Sequence, residues 1–217
     1  MRFRQIFLLH LLLISSLISF AQSGKFYRIE YDVDLEGAED VDPTAAAMME
    51  DMTMVLAFQG DKARVEMGMQ MMDMRMVYDQ EKKYAVTLMN MMGQGTAQIY
   101  EGEAFDNMQA ENEAPQPPKV RETGKTKTIA GYTCRQAFLT QPGDTEESEI
   151  WYAPDILVDN NSTEYNIANL PGFPLEMTMK QQGMMMQMNA VEVSTEVPAE
   201  DYFSLDIPEG YVIQDDH

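Results

Sequence analysis

Apolar and polar residues alternate with period two through most of this 217-residue chain, and this pattern constrains the fold more than any other feature. Every second residue from Tyr27 to Leu35 is apolar, and the residues between them are charged. Successive side chains of a β-strand point to opposite faces, so the pattern is typical of a half-buried strand. Because such runs recur to about residue 193, we predict a mainly β protein, a strongly curved antiparallel sheet of about eight to eleven strands. We expect two or three short helices to accompany this sheet.

Four segments interrupt the alternation. A proline-initiated run at 43–49 and an acidic stretch at 101–113 are predicted to be short helices. The segment 90–95 contains two glycines and is predicted to be a flexible loop. The proline-rich segment 114–118 is expected to connect two halves of one domain that spans residues 22–217.

The first 21 residues have the composition of a cleaved signal peptide. Arg2 and Arg4 precede an apolar run at 6–18, and Ser19-Phe20-Ala21 forms a small-x-small cleavage pattern. The apolar run is too short to span a bilayer, and no cysteine lies at the cleavage point to carry a lipid anchor. The sequence therefore predicts a periplasmic or secreted protein with no transmembrane segment after signal removal.

Charge and residue usage argue against several functional classes. The formal net charge is −21, a surface that repels nucleic acid and anionic lipid headgroups. After cleavage the remaining cysteine and histidine are Cys134 and His217. Cysteine–histidine catalysis and His-based metal sites are therefore disfavoured. We expect a protein that is not an enzyme, has no cofactor or conventional metal site, and does not bind nucleic acid.

The 21 methionines are the main clue to function. Within the predicted strands they fall mostly at alternate positions and share one face. Thioether side chains are flexible and polarisable, and they adapt to varied apolar shapes. We predict that this face binds a hydrophobic ligand, a lipid or an acylated peptide, in a concave site. The candidate ligand-binding residues are Met54, Met67, Met69, Met74, Met76, Met177, Met179, Met184, Met186, Met188 and Phe173.

Other interpretations of the methionines remain open. They can simply fill an irregular core, in a structural or interaction protein without a small ligand. They can also bind Cu(I) or Ag(I), soft ions that select sulfur donors, in a metal buffer or chaperone. In the second half, a loop of residues 180–183 would set Met179 opposite Met184, Met177 opposite Met186 and Leu175 opposite Met188. This register puts all six apolar side chains together.

Sequence motifs in the second half resemble a known family. They are Lys-Thr-Lys-Thr-Ile-Ala-Gly-Tyr-Thr-Cys at 125–134, Glu-Ile-Trp-Tyr-Ala-Pro at 149–154 and Leu-Pro-Gly-Phe-Pro-Leu-Glu at 170–176. With the ending Pro-Glu-Gly-Tyr at 208–211, they resemble an exported bacterial family, domain of unknown function forty-four twelve. The resemblance implies a fold similar to the LolA/LolB lipoprotein carriers, an incomplete antiparallel barrel with an apolar concave side. It implies no catalytic residues.

Overall fold

The protein is described by a computed structural model that covers residues 24–36, 52–112, 117–143, 146–157, 170–181 and 184–214. These residues form twelve strands and one helix, α1 (Glu103–Asn112). The predicted signal peptide at 1–21 and the predicted helix at 43–49 lie outside the described residues. The strands are β1 (Tyr27–Glu36), β2 (Thr53–Gln59), β3 (Lys62–Met69), β4 (Met72–Asp79), β5 (Tyr84–Met91), β6 (Gln94–Glu101), β7 (Lys119–Ile129), β8 (Tyr132–Thr140), β9 (Ser148–Ala153), β10 (Phe173–Gln181), β11 (Met184–Ser194) and β12 (Tyr211–Ile213).

All twelve described strands belong to a single sheet with the order β12-β6-β5-β4-β3-β2-β1-β11-β10-β9-β8-β7. Neighbouring strands are antiparallel except β12, which pairs with β6 in parallel. The sheet does not close, since β12 and β7 are its two edges. The prediction of a mainly β, curved and incomplete antiparallel barrel is confirmed.

The predicted number of strands was too low because the segment 90–95 was misinterpreted. It is a tight hairpin between β5 and β6, with Met91 paired to Gln94. The two turn residues, Met92 and Gly93, both have positive φ, at 52° and 83°. Positive φ at both central positions defines a type I′ turn, whose twist matches that of the flanking strands. What was predicted to be a flexible loop is therefore a regular two-residue connection.

The hairpin of β10 and β11 keeps the predicted face but has a different register. Met179 pairs with Met186 and Met177 with Met188, so the connection is two residues rather than four. A change of two residues in a hairpin loop preserves side-chain parity. Met177, Met186 and Met188 therefore share a face, as expected, with each pairing moved by two positions.

Curvature brings side chains of distant strands together on one face. β2 and β10 are separated by β1 and β11, which in a flat sheet would place them about 14 Å apart. The rings of Phe58 on β2 and Phe173 on β10 nevertheless have centroids 5.1 Å apart. The face that carries these rings is therefore the concave one, and we call it the inner face.

The helix α1 contributes to the same core. Phe105 and Met108 are buried and belong to the main hydrophobic cluster with residues of β1, β2 and β10. Their spacing of three places both side chains on one side of a helix. The acidic residues Glu103 and Asp106 in the first turn suit the positive end of the helix dipole.

The C-terminal segment after β11 covers part of the outer face. Leu205, Ile207 and Tyr211 pack with Val86 and Leu88 in a second, smaller hydrophobic cluster. Upstream, the ring of Tyr202 lies 4.3 Å from the guanidinium carbon of Arg64 and meets Phe26 edge-on at 5.7 Å. The segment then ends as β12 on the edge of β6.

Candidate ligand-binding face

Methionines form two adjacent rows across neighbouring strands on the inner face. Cross-strand partners lie directly opposite one another, with Cβ atoms about 5 Å apart. The first row runs across β2, β3, β4 and β5, and the second across β3, β4 and β5. We call them the inner row (Met54, Met67, Met74, Met89) and the tip row (Met69, Met72, Met91).

A second group of methionines lies on the opposite side of β1. Met188 pairs with Val33 of β1 and with Met177 of β10. Met186 follows the same pattern, pairing with Leu35 and Met179. Because the antiparallel strands alternate in direction, these residues lie toward the same end of the sheet as the two rows. We call this the methionine end.

The opposite end of the inner face is filled by aromatic rings. Tyr27 packs against Phe58 with ring centroids 5.4 Å apart, and Phe58 packs against Phe173. The Tyr31 hydroxyl donates a 2.7 Å hydrogen bond to the carbonyl of Pro174. This aromatic end is closed by packing, so any ligand on the inner face has to be accommodated toward the methionine end.

The predicted site residues divide by burial. Met54, Met177, Met188 and Phe173 are fully packed in the main hydrophobic cluster. The side chains of Met179 and Met184 lie outside the described residues. The remaining five predicted residues, Met67, Met69, Met74, Met76 and Met186, are half-buried on the inner face. All but Met74 pack against the main hydrophobic cluster.

Sequence reasoning missed three methionines of the two rows. Met72, Met89 and Met91 lie directly opposite predicted site residues or each other. Their position depends on the hairpins at 70–71 and 92–93, and the second of these was predicted to be a loop. The alternation Met89-Asn90-Met91 followed by Met92-Gly93 was the signal that could have identified them.

Two ionisable groups in the core are held neutral. Burial raises the pKa of the Cys134 thiol to about 11. Burial also raises the pKa of the Tyr152 hydroxyl, and interaction with Glu122 raises it further. A thiol with so high a pKa is a poor nucleophile at neutral pH. Both groups therefore behave as parts of the core.

Among the described residues, no group of three or more His, Cys, Asp or Glu side chains is placed to hold a metal ion. In the same part of the chain, no helix has the length and apolar character needed to cross a bilayer.

The motif residues 149–154 and 170–174 form the contact between β9 and β10. Phe173 pairs with Ala153 and Pro174 with Tyr152. On β9, the Trp151 indole donates to Glu149 at 2.9 Å, and the ammonium of Lys127 on β7 lies 4.3 Å from the centre of the Trp151 ring. These contacts explain the motifs as packing and pairing elements of the sheet.

Comparison with known proteins identifies a family. The family described as Domain of unknown function (DUF4412) matches residues 36–163, more than half of the chain. No curated protein matches this sequence.

Three solved structures show distant similarity. Two structures of PNGF-II have a TM-score of 0.43, with 16% and 12% identity, and each comparison covers 88% of this chain and 31% of the other. This chain thus spans about a third of the length of PNGF-II. A β-barrel-like protein of domain of unknown function DUF1849 from Brucella abortus has a TM-score of 0.37 and 11% identity, covering 80% of this chain and 98% of that one.

Proposed function

This chain belongs to the DUF4412 family, and we propose that it is a non-catalytic protein that binds a hydrophobic ligand on the methionine rows of its inner face. The ligand is a lipid or an acylated peptide. The signal-like residues 1–21 support a location in the periplasm or outside the cell. The resemblance to the LolA/LolB lipoprotein carriers implies a fold with an apolar concave side, and that fold supports binding of an apolar ligand.

One observation carries the proposal: half-buried methionines stand directly opposite each other on neighbouring strands at one end of the inner face. A core that is only structural is packed to native density, as the aromatic end is. At the methionine end, by contrast, Met67, Met69, Met72 and Met74 each keep part of their surface exposed. Flexible apolar side chains with exposed surface are suited to fitting ligands of varied shape.

The proposal also agrees with the chemistry of the surrounding groups. The thiol of Cys134 is buried and protonated, so it offers no nucleophile. The rows themselves consist of thioethers, which neither donate protons nor act as general bases at neutral pH. Rows of such side chains can hold an apolar chain but supply no group for acid, base or covalent chemistry.

The test measures binding of a neutral, environment-sensitive apolar dye to the protein and to single variants. Met69→Asp and Met186→Asp place a charge on the inner face, and we expect at least about tenfold weaker binding because an unpaired charge next to an apolar ligand is costly. Met69→Leu keeps the apolar surface and should bind as the wild type does.

Ile99→Asp is the matched control, since Ile99 is half-buried on the outer face of the same sheet, opposite Val86. It introduces the same charge on the face away from the rows and should leave the dye affinity unchanged. If wild type binds no dye, or if Ile99→Asp weakens binding as much as Met69→Asp does, the proposed function is wrong. Native mass spectrometry of protein purified gently from its own envelope identifies any bound species by its mass.

A further inference from the structure

The tip row lies where two hairpin turns meet. Met69 pairs with Met72 and Met72 with Met91, so three thioethers lie side by side on three neighbouring strands. The two turns that flank the row are joined by a 3.1 Å hydrogen bond from the Met92 amide to the Met71 carbonyl. Five methionines are therefore held together by backbone pairing at one corner of the sheet.

The methionines at this corner are unusually exposed for apolar side chains. Met92 is 77% exposed, Met91 52% and Met71 39%. Scattered exposed apolar residues are normal on a protein surface. Two exposed methionines in adjoining turns and a third at the end of β5 are a concentrated patch of sulfur, and burial does not account for it.

Met92 also occupies a position that its side chain does not favour. Its φ of 52° lies in the left-handed region, which costs a side chain with a Cβ about 1–2 kcal/mol. Type I′ turns strongly prefer Asn, Asp or Gly there. Neither packing nor turn chemistry explains a methionine at this position, and such local strain is common at functional sites.

We propose that this corner binds a single Cu(I) or Ag(I) ion through the sulfur atoms of Met69, Met72 and Met91. Thioethers are soft ligands that select Cu(I) over harder divalent ions. The backbones of β3 and β5 lie about 10 Å apart across β4, a gap that two long, unbranched side chains reaching toward Met72 can close. Met71 and Met92 stand close enough along the chain to supply further sulfur.

The charge of the protein supports a cation at this corner. A net charge of −21 raises the local concentration of cations at the surface. The proposed ligands contain no imidazole, thiolate or carboxylate, so Zn²⁺ and Cu²⁺ find no preferred donors. The ion site is independent of the apolar-ligand proposal, because it requires the sulfur atoms of the tip row and not merely their apolar surface.

The experiment titrates Ag(I), a redox-stable soft ion, into full-length protein whose methionine methyl groups carry ¹³C. We expect the methyl resonances of Met69, Met72 and Met91 to shift together and saturate at one ion per chain. The triple variant Met69→Leu, Met72→Leu, Met91→Leu preserves volume and should bind at least about tenfold more weakly. A parallel titration with Cu(I), held by a weak chelator, should show the same loss.

A second triple variant, Met76→Leu, Met186→Leu, Met188→Leu, removes three sulfur atoms elsewhere on the inner face and should bind Ag(I) as the wild type does. The inference is overturned if the wild type binds no ion, or if the tip-row variant binds as tightly as the wild type. Dye binding and Ag(I) binding are measured separately on the wild type, so loss of one without the other distinguishes failure of the ion site from failure of the apolar-ligand proposal.

Discussion

At the scale of single residues, Gly172 shows how closely the sheet is packed at its aromatic end. A Cβ at this position would lie 2.4 Å from the carbonyl oxygen of Ala153 and 2.7 Å from the Cα of Pro154. Contacts that short are with backbone and cannot be relieved by a side-chain rotation. The glycine of the Leu-Pro-Gly-Phe-Pro motif therefore allows β10 to approach β9, which positions Phe173 against Phe58.

Cys134 leads to a prediction about reactivity and pH. Its side chain is fully buried, and burial raises the pKa of the thiol from 9.0 to about 11. Only the thiolate reacts with maleimides, so labelling of the native protein at about pH 8 should be far slower than labelling in denaturant. Because the folded pKa is the higher one, this group should lower the free energy of unfolding as pH rises from 9 toward 11.

Two variants provide the controls. Thr133→Cys in a Cys134→Ala background moves the thiol to the exposed neighbouring position, where labelling should be fast in the native state. Cys134→Ala alone should remove this contribution to the decline in stability above pH 9, as measured by urea unfolding. Rapid native labelling of Cys134 would show that the thiol is accessible and would contradict its placement in the core.

At the scale of elements, the sequence pattern predicted which face of the sheet each side chain lies on better than it predicted which residues pair across neighbouring strands. Alternation fixes which side chains point inward, because a shift of one residue would turn an apolar row toward solvent. It does not distinguish registers that differ by two residues, and so Met177 was paired with Met186 and not with its actual partner, Met188. The strand β6 was missed because Gln-Gly-Thr-Ala-Gln has little apolar alternation, and pairing with β5 stabilises it instead.

The β5–β6 hairpin gives a prediction about turn chemistry. Met92→Asn should stabilise the protein by about 1 kcal/mol, because asparagine tolerates the left-handed conformation that methionine is forced to adopt. In a protein of this size that corresponds to a rise in Tm of about 2–4 °C. Met71→Asn, in the neighbouring turn, is the control: no positive φ occurs at that residue, so no gain is expected. Equal Tm changes in the two variants would show that the strain at Met92 is not real.

At the scale of the whole molecule, long-range contacts could not be read from the sequence. Nothing in the local pattern indicates that β1 pairs with β11, or that the sheet curves until Phe58 reaches Phe173. The sequence also did not predict the path of the C-terminal segment, which places the ring of Tyr211 over Gly95 on the outer face. For the candidate site, the methionine face was predictable from alternation, whereas its closed aromatic end and exposed tip row depend on this three-dimensional pairing.

The charge of the whole molecule predicts which apolar ligands it prefers. With a net charge of −21, the protein repels an anionic amphiphile over the Debye length, which is about 30 Å at 0.01 M salt and about 3 Å at 1 M. We therefore expect the affinity for a fatty acid to rise several-fold from low to high salt. The glycerol ester of the same acyl chain carries no charge, and its affinity should change much less.

Binding of both ligands is measured by calorimetry across the salt series. Salt also strengthens apolar association, so the ester is the reference for that effect. If the two ligands respond equally to salt, long-range repulsion does not control selection, and the acidic surface has another role.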